Sequence, residues 1–465
     1  MALRYVSTRG EAPELGFEDV LLTGLARDGG LYVPAIWPRI TTRDLNLLRG
    51  KSYEEIAFAV MHPFIGNAIP DADLKHMIGE AYACFGHPAV APLKQLDDNQ
   101  WLLELFHGPT LAFKDIAMQL LARLMDWALA TRRSRATIVG ATSGDTGGAA
   151  IEAFQASQHA SVFMLHPHGR VSGVQRRQMT TVTSASVHNI ALEGNFDDCQ
   201  AIVKALFNDL PFRDSIGLAG VNSINWARIM AQTVYYVTAA LSLGAPGRMI
   251  SFCVPTGNFG DIFAGFAAKR MGLPIDRLVL ATNVNDILDR TLKTGRYETR
   301  GVTPSTSPSM DIQVSSNFER LLFEVHGRDP YAVRSMMGNL QQSGAFTIAG
   351  RELDQIRHEF DSGAADEAQT AATIRETLAA TGELLDPHTA VGYAVARKSS
   401  GSSSPMVTLA TAHPAKFPDA VEKASGSRPA LPTRLAHLMT AGERFTVLPN
   451  DVAKVRDFIL KHQPH

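Results

Sequence analysis

Residues 248–283 read "RMISFCVPTGNFGDIFAGFAAKRMGLPIDRLVLATN". The run "MISFCV" is short and continuously apolar, which suits a strand buried on both faces. "TGNFGD", Thr256 to Asp261, interrupts it with two glycines. "DIFAGFAAKRM" then carries helical spacing, and "DRLVLATN" is a second buried strand. Strand, glycine loop, helix and strand in that order predict a parallel βαβ unit.

The same order recurs on either side. Residues 135–157, "RATIVGATSGDTGGAAIEAFQAS", are followed by "ASVFMLHP" at 160–167. Residues 184–209, "SASVHNIALEGNFDDCQAIVKALFND", and 402–424, "SSSPMVTLATAHPAKFPDAVEKA", repeat the theme. The expected fold class is α/β, with parallel sheets covered by helices on both faces. Ligands of such folds gather at the carboxyl ends of the strands, so the glycine loops are the places to search. Roughly the first 95 residues are expected to be mostly helical, from the spacing in "TRDLNLLRGKSYEEIAFAVMHPFI" and "PDADLKHMIGEAYACF". "VARKSSGSSSPM" (395–406) and "GVTPSTSPSM" (301–310) read as surface loops.

Composition narrows the class. The chain has 465 residues, 45% hydrophobic and 19% charged, with a formal net charge of −2. That balance offers no electrostatic case for nucleic acid or an anionic membrane. Three cysteines, Cys84, Cys199 and Cys253, lie far apart, which argues against a zinc site or a disulfide framework and fits a reducing compartment. The start, "MALRYVSTRGEAPELG", lacks the apolar core of a signal peptide, and no window reaches the ~18 apolar residues of a membrane span. A cytoplasmic enzyme is the expectation.

Two loops suit an anion. In "TGNFGD", Gly257 and Gly260 let several backbone N–H groups converge at a helix start, where the dipole favours a phosphate. A plain strand-to-helix turn is the competing reading. "EGNFDD", Glu193 to Asp198, is spelled almost alike but is more acidic and lacks the second glycine, so it reads as structural. "GATSGDTGGAA", Gly140 to Ala150, is neither a Walker A motif nor G-x-G-x-x-G. Ser143, Asp145 and Thr146 supply polar groups and the backbone N–H groups lead into a helix, which suits a carboxylate or phosphate, with a plain turn as the competing reading.

Lys114 opens a helix in "FHGPTLAFKDIAMQLLARLM". Phe113, Ile116, Ala117, Leu120, Leu121 and Leu124 form its apolar face, and Lys114 lies beside that face. Burial and the positive helix end both disfavour an ammonium. A neutral lysine amine is a nucleophile and a Schiff-base former. A solvated lysine beside Asp115 is the alternative. Such a lysine and a phosphate cradle in one α/β chain together suggest pyridoxal phosphate, which needs both. His107, His166 and His168 read as structural.

Taken in order, "YVSTRG", "FHGPTLAFKD", "GATSGDTGGAA", "GRVSGVQRRQMTT", "NSINWARIMAQTVYY", "PTGNFGDIFAG", "SMDIQVSSNFERLLFE", "LLDPHTAVG" and "TAHPAKF" resemble the threonine synthase family. Its long bacterial and fungal form shares the pyridoxal-phosphate fold type of the tryptophan synthase β-subunit. The resemblance implies that Lys114 binds the cofactor, that Gly257, Asn258, Phe259, Gly260 and Asp261 surround its phosphate, and that Thr411 bonds its pyridine nitrogen. A neutral hydroxyl there leaves that nitrogen unprotonated, which suits elimination and replacement chemistry. Ser143, Gly144, Asp145 and Thr146 are implied to hold the substrate's carboxylate. For the substrate phosphate, Arg228 of "NWARI" is the first candidate and Lys416 the second, with surface ion pairing the competing reading of Lys416. No metal is implied.

The implied reaction is O-phospho-L-homoserine plus water to L-threonine and phosphate, by γ-elimination and β-addition of water. The expected layout is a helical segment at 1–95, a large cofactor-binding domain from 96–139 and 226–465, and a small α/β domain at 140–225. Monomer and homodimer are both open. The rivals are a serine/threonine dehydratase-like lyase of the same fold and an inactive cofactor-binding relative.

Overall fold

The computed structural model describes residues 3–399 and 403–463. Its larger sheet has six strands in the order Phe360–Ala364, Ile275–Thr282, Ile250–Pro255, Met406–Ala410, Gln100–Glu104 and Leu93–Asp97. All neighbours are parallel except the last pair, which is an antiparallel edge. Every residue of Ile250–Pro255 and Met406–Ala410 is buried, as continuous apolar strands between two helical layers must be. Helices Trp226–Ser242 and Gly260–Met271 pack together, and Pro387–Lys398 lies against strands 250–255, 275–282 and 406–410.

The second sheet has five strands in the order Thr446–Pro449, Val187–Glu193, Ala160–Pro167, Ala136–Ala141 and Leu218–Ala219, all parallel. This corrects two boundaries. Residues 136–139 and the end of 226–465 were expected in the large domain, yet Ala136–Ala141 and Thr446–Pro449 are strands of the smaller sheet. Helix Val452–His462 follows the last strand and buries Val455 and Ile459 with Phe163, Ile190 and Leu206. The exposed edge of Val187–Glu193 is thereby paired rather than left open.

The first 95 residues are less helical than expected: helices Phe17–Thr23, Thr42–Leu48, Tyr53–Ile65 and Asp71–Ala83 are separated by loops, and the segment opens on an antiparallel ribbon of Tyr5–Ser7 and Tyr32–Pro34. Residues 400–402 of the expected loop 395–406, and residues 1–2 of the start, lie outside the described residues. Residues 299–307 form the other expected loop, closed by the single helical turn Pro308–Met310. Among the described residues, no helix is long and apolar enough to cross a membrane.

Strand ends converge on one cleft. The Leu105 N–H donates to the Ala410 carbonyl at 3.0 Å, and the Phe113 N–H to the Thr411 carbonyl at 2.9 Å. The loop before Lys114 is thus stitched to the loop after Met406–Ala410.

Candidate active site

Lys114 is the first residue of helix Lys114–Thr131 and is only 8% exposed. Its Nζ lies 3.2 Å from Ser309 Oγ and 3.3 Å from Asp145 Oδ2. Burial pushes its ammonium down; Asp145 opposes that, and the cations Lys416 and Arg228 add to it. A solvated lysine paired with Asp115 is excluded. Asp115 is itself buried and takes the Thr110 N–H at 2.8 Å and the Thr110 hydroxyl at 2.6 Å.

Asp145 is the hub. Its Oδ1 takes Lys416 Nζ at 2.8 Å and Gln175 Nε2 at 2.9 Å, and its Oδ2 takes Ser309 Oγ at 3.0 Å. Burial alone would raise this carboxyl. Lys114 and Lys416 together hold it well below the usual carboxylate range. Two lysines therefore share one buried anion. Such a cluster is tolerated away from water only because each charge has a close partner.

Lys416 is fully buried, which overturns its reading as a surface ion pair. Its Nζ also donates to the Thr110 carbonyl at 2.8 Å. Asp145 differs from expectation too. Its side chain is committed to Lys114 and Lys416, and the Gly144 N–H donates to Thr142 Oγ1 at 2.9 Å, so residues 143–146 leave the Ser143 and Thr146 hydroxyls and the remaining backbone N–H groups for an anion. Gly144 is required there, because its φ of +141° disfavours a side chain and an added Cβ would stand 2.5 Å from Gln175.

The loop at Gly257–Asp261 opens helix Gly260–Met271 without any side-chain cap, and Phe259 takes a left-handed φ of 61°. First-turn N–H groups have no partner inside a helix, so these donors are left for an anion. "EGNFDD" makes the contrast. There Asn195 and Asp198 form a reciprocal capping box that consumes the donors. The loop is braced from behind. Ser315 Oγ donates to the Gly257 carbonyl at 2.8 Å, and Asn317 donates to the Asn258 carbonyl through its backbone N–H at 3.1 Å and Nδ2 at 3.0 Å. Gly257 must lack a Cβ, which would lie 2.6 Å from the Ser309 carbonyl.

The Asp261 side chain faces away from this purpose. It accepts hydrogen bonds from the Tyr235 and Tyr236 hydroxyls. Burial pushes its carboxyl up to about 7, with the two tyrosines and Arg228 drawing it back only in part. The folded chain therefore binds this proton more tightly than the unfolded chain. That favours folding at low pH, and the advantage disappears as pH rises through about 7. Asp261→Asn is expected to be less sensitive, so its urea midpoint should gain on the parent's between about pH 5 and about pH 8.

Arg228 sits in the first turn of Trp226–Ser242, 2% exposed. Its Nη1 donates to the Val221 carbonyl at 3.3 Å, and its Nε has no partner. Burial pushes it down to about 10. Thr411 is 5% exposed at the end of its strand, and Ser143 and Thr146 are half-buried.

The structure thus brings Lys114 and Asp145 together, joins Thr411 to the residue before Lys114 only through its backbone carbonyl, ties the Gly257 loop to Lys114 through Ser309, and leaves Arg228 buried without direct contact. Ser309, Gln175 and His388 lack any signal in composition or spacing. Each lies inside a motif string, but nothing local distinguishes its role. His107 stays outside, held 2.7 Å from Glu104. Among the described residues no group of three or more His, Cys, Asp or Glu could hold a metal.

Family models match as "Threonine synthase N terminus" at residues 4–82, "Pyridoxal-phosphate dependent enzyme" at 87–412 and "Threonine synthase, C-terminal" at 389–459. A threonine synthase of Pseudomonas aeruginosa is 57% identical, covering 99% of this chain and 98% of that one. The crystal structure of a pyridoxal-phosphate-bound threonine synthase from Brucella melitensis superposes with a TM-score of 0.98 at 62% identity, covering 100% of both chains. A yeast threonine synthase structure gives 0.93 at 39% identity, covering 99% of this chain and 98% of that one.

Proposed function

The chain belongs to the threonine synthase family of pyridoxal-phosphate-dependent enzymes, and on that premise we propose that its cleft converts O-phospho-L-homoserine and water into L-threonine and phosphate. The single observation that carries this reading is a buried lysine with a depressed ammonium, set beside an uncapped helix start.

The residues present fit the cofactor. Lys114 offers an amine, the Gly257–Asp261 backbone offers unpaired N–H donors, and Thr411, whose carbonyl takes the Phe113 N–H, offers a neutral hydroxyl. When bound, pyridoxal phosphate supplies an aldehyde for amines and a ring that accepts the electron pair left at the substrate's Cα. The protein's own part is proton handling and positioning. Lys114 Nζ, eased towards its neutral form, takes the Cα proton and moves protons between neighbouring atoms. Asp145 remains ionised and holds Lys114 and Lys416 in place. The Gly144 N–H is held by Thr142 Oγ1, and the backbone N–H groups of Ser143, Asp145 and Thr146 receive the substrate carboxylate. Phosphate leaves Cγ, and water supplies the hydroxyl at Cβ.

For the substrate phosphate, Arg228 has an unpartnered Nε. Lys416 Nζ has three donors, of which Asp145 and Thr110 take two. Burial strengthens either pairing, because water does not screen it. The three free cysteines support a cytoplasmic setting.

The rival lyase is separated by substrate. The parent is expected to release phosphate and form threonine one to one from O-phospho-L-homoserine, with no ammonia from serine. Ammonia from serine without phosphate release would favour the dehydratase. Neither product from a chain that binds the cofactor would favour the inactive relative.

A further inference from the structure

Behind Ser309 stands a buried pair that the reading above does not use. His388 is 3% exposed and Asp386 1%. The Ser309 N–H donates to His388 Nε2 at 3.2 Å. A backbone N–H can only donate, so Nε2 must be the unprotonated nitrogen. The ring proton therefore sits on Nδ1, which lies 2.7 Å from Asp386 Oδ2. A carboxylate on Nδ1–H sets the tautomer and orientation of an imidazole.

Asp386 is itself fixed. It caps helix Pro387–Lys398, accepting the His388 N–H at 2.9 Å and the Thr389 N–H at 3.0 Å. That helix packs on the central strands of the larger sheet. Phe417, next to Lys416, lies against the imidazole with ring centres 4.8 Å apart. The pair is thus built on rigid elements, whereas Ser309 belongs to a single helical turn, Pro308–Met310.

What Ser309 touches gives the bond its purpose. Its Oγ accepts from Lys114 Nζ and donates to Asp145 Oδ2. Its carbonyl abuts Gly257. A neutral lysine amine has two N–H bonds and one lone pair. With its N–H bonds directed at Ser309 Oγ and Asp145 Oδ2, the lone pair has one direction left.

We propose that Asp386 and His388 are positioning residues, which hold Ser309 by its backbone N–H so that its hydroxyl aims the Lys114 amine. The proposal rests on the reading of Lys114 as the working amine. A shift of the turn by about 1 Å would misdirect the amine, and misplacement on that scale costs up to about a hundredfold in rate.

Three variants test it. His388→Leu keeps bulk and removes the acceptor. His388→Gln places an amide oxygen where Nε2 was. Asp386→Ser retains a good helix cap but is shorter and neutral, which removes the carboxylate that holds the ring proton on Nδ1 and frees the ring to place it on Nε2, against the Ser309 N–H. The readouts are kcat and KM for O-phospho-L-homoserine, and the rate at which pyridoxal phosphate attaches to the apo chain. Thermal melting of the apo chains controls for folding.

His388→Leu and Asp386→Ser are expected to lose about tenfold to a hundredfold in kcat and to slow attachment, with KM little changed. His388→Gln is expected to recover most of both losses. The proposal is overturned by a His388→Gln variant no better than His388→Leu, or by a His388→Leu variant with normal kcat and attachment. If His388→Leu does not fold, Asp386→Ser against His388→Gln decides: a defect only in the former supports the proposal, and equal values overturn it. Failure of the Lys114 reading would appear differently, as cofactor attached to another lysine in the parent.

Discussion

Lys114→Ala is expected to lower turnover by at least about a thousandfold, because one amine serves both as the covalent anchor and as the proton carrier. Proton transfer alone accounts for about 10²- to 10⁴-fold in comparable sites. Loss of the anchor also leaves the cofactor held only by its phosphate and ring contacts. The apo variant should nevertheless fold. Its parent buries an ammonium that burial already disfavours, and Asp145 keeps Lys416 as partner. Phosphate release from O-phospho-L-homoserine, read beside thermal melting of the apo chains, separates lost chemistry from lost structure.

Asp145→Ala should act on stability as well as on chemistry. Two buried lysines would lose their shared anion, and removing one partner of a buried ion pair costs about 3–5 kcal/mol. The chain can respond by releasing a proton from Lys114, whose ammonium is already depressed, so the penalty should ease at high pH. The expected result is a lower urea midpoint whose deficit shrinks as pH rises, together with a large loss of turnover. Lys416→Met should be milder, since Asp145 keeps Lys114, Gln175 and Ser309 as partners. An Asp145→Ala chain as stable as the parent at neutral pH would contradict the charge balance described here.

Residues 248–283 could be read directly because strand, loop and helix are contiguous and each signal is local. Lys114 was legible as a candidate for the same reason: the apolar stripe of its own helix places it beside the buried face. Lys416 was not. Its sequence neighbours fit a surface turn, and only the pairing of Ala112 with Ala412 and of the Phe113 N–H with the Thr411 carbonyl carries it into the core. The direction of the Asp145 side chain escaped detection because loop spelling reports which groups are present, not which partner each one takes. Thr446–Pro449 was missed as a strand of the smaller sheet because its partner, Val187–Glu193, lies some 250 residues earlier in the chain, and no local pattern encodes so remote a pairing. Family resemblance supplied what spacing could not: the substrate, and a use for the two loops together.

The central claim is that Lys114, and not its buried neighbour Lys416, is the amine that carries the cofactor. Both share Asp145, so composition and charge alone do not separate them. Borohydride treatment of the chain loaded with pyridoxal phosphate fixes the cofactor to whichever amine holds it, and peptide mass mapping then locates the label. The account predicts the label on the peptide containing Lys114, with none on Lys416. A label on Lys416, or on any lysine other than Lys114, would contradict it.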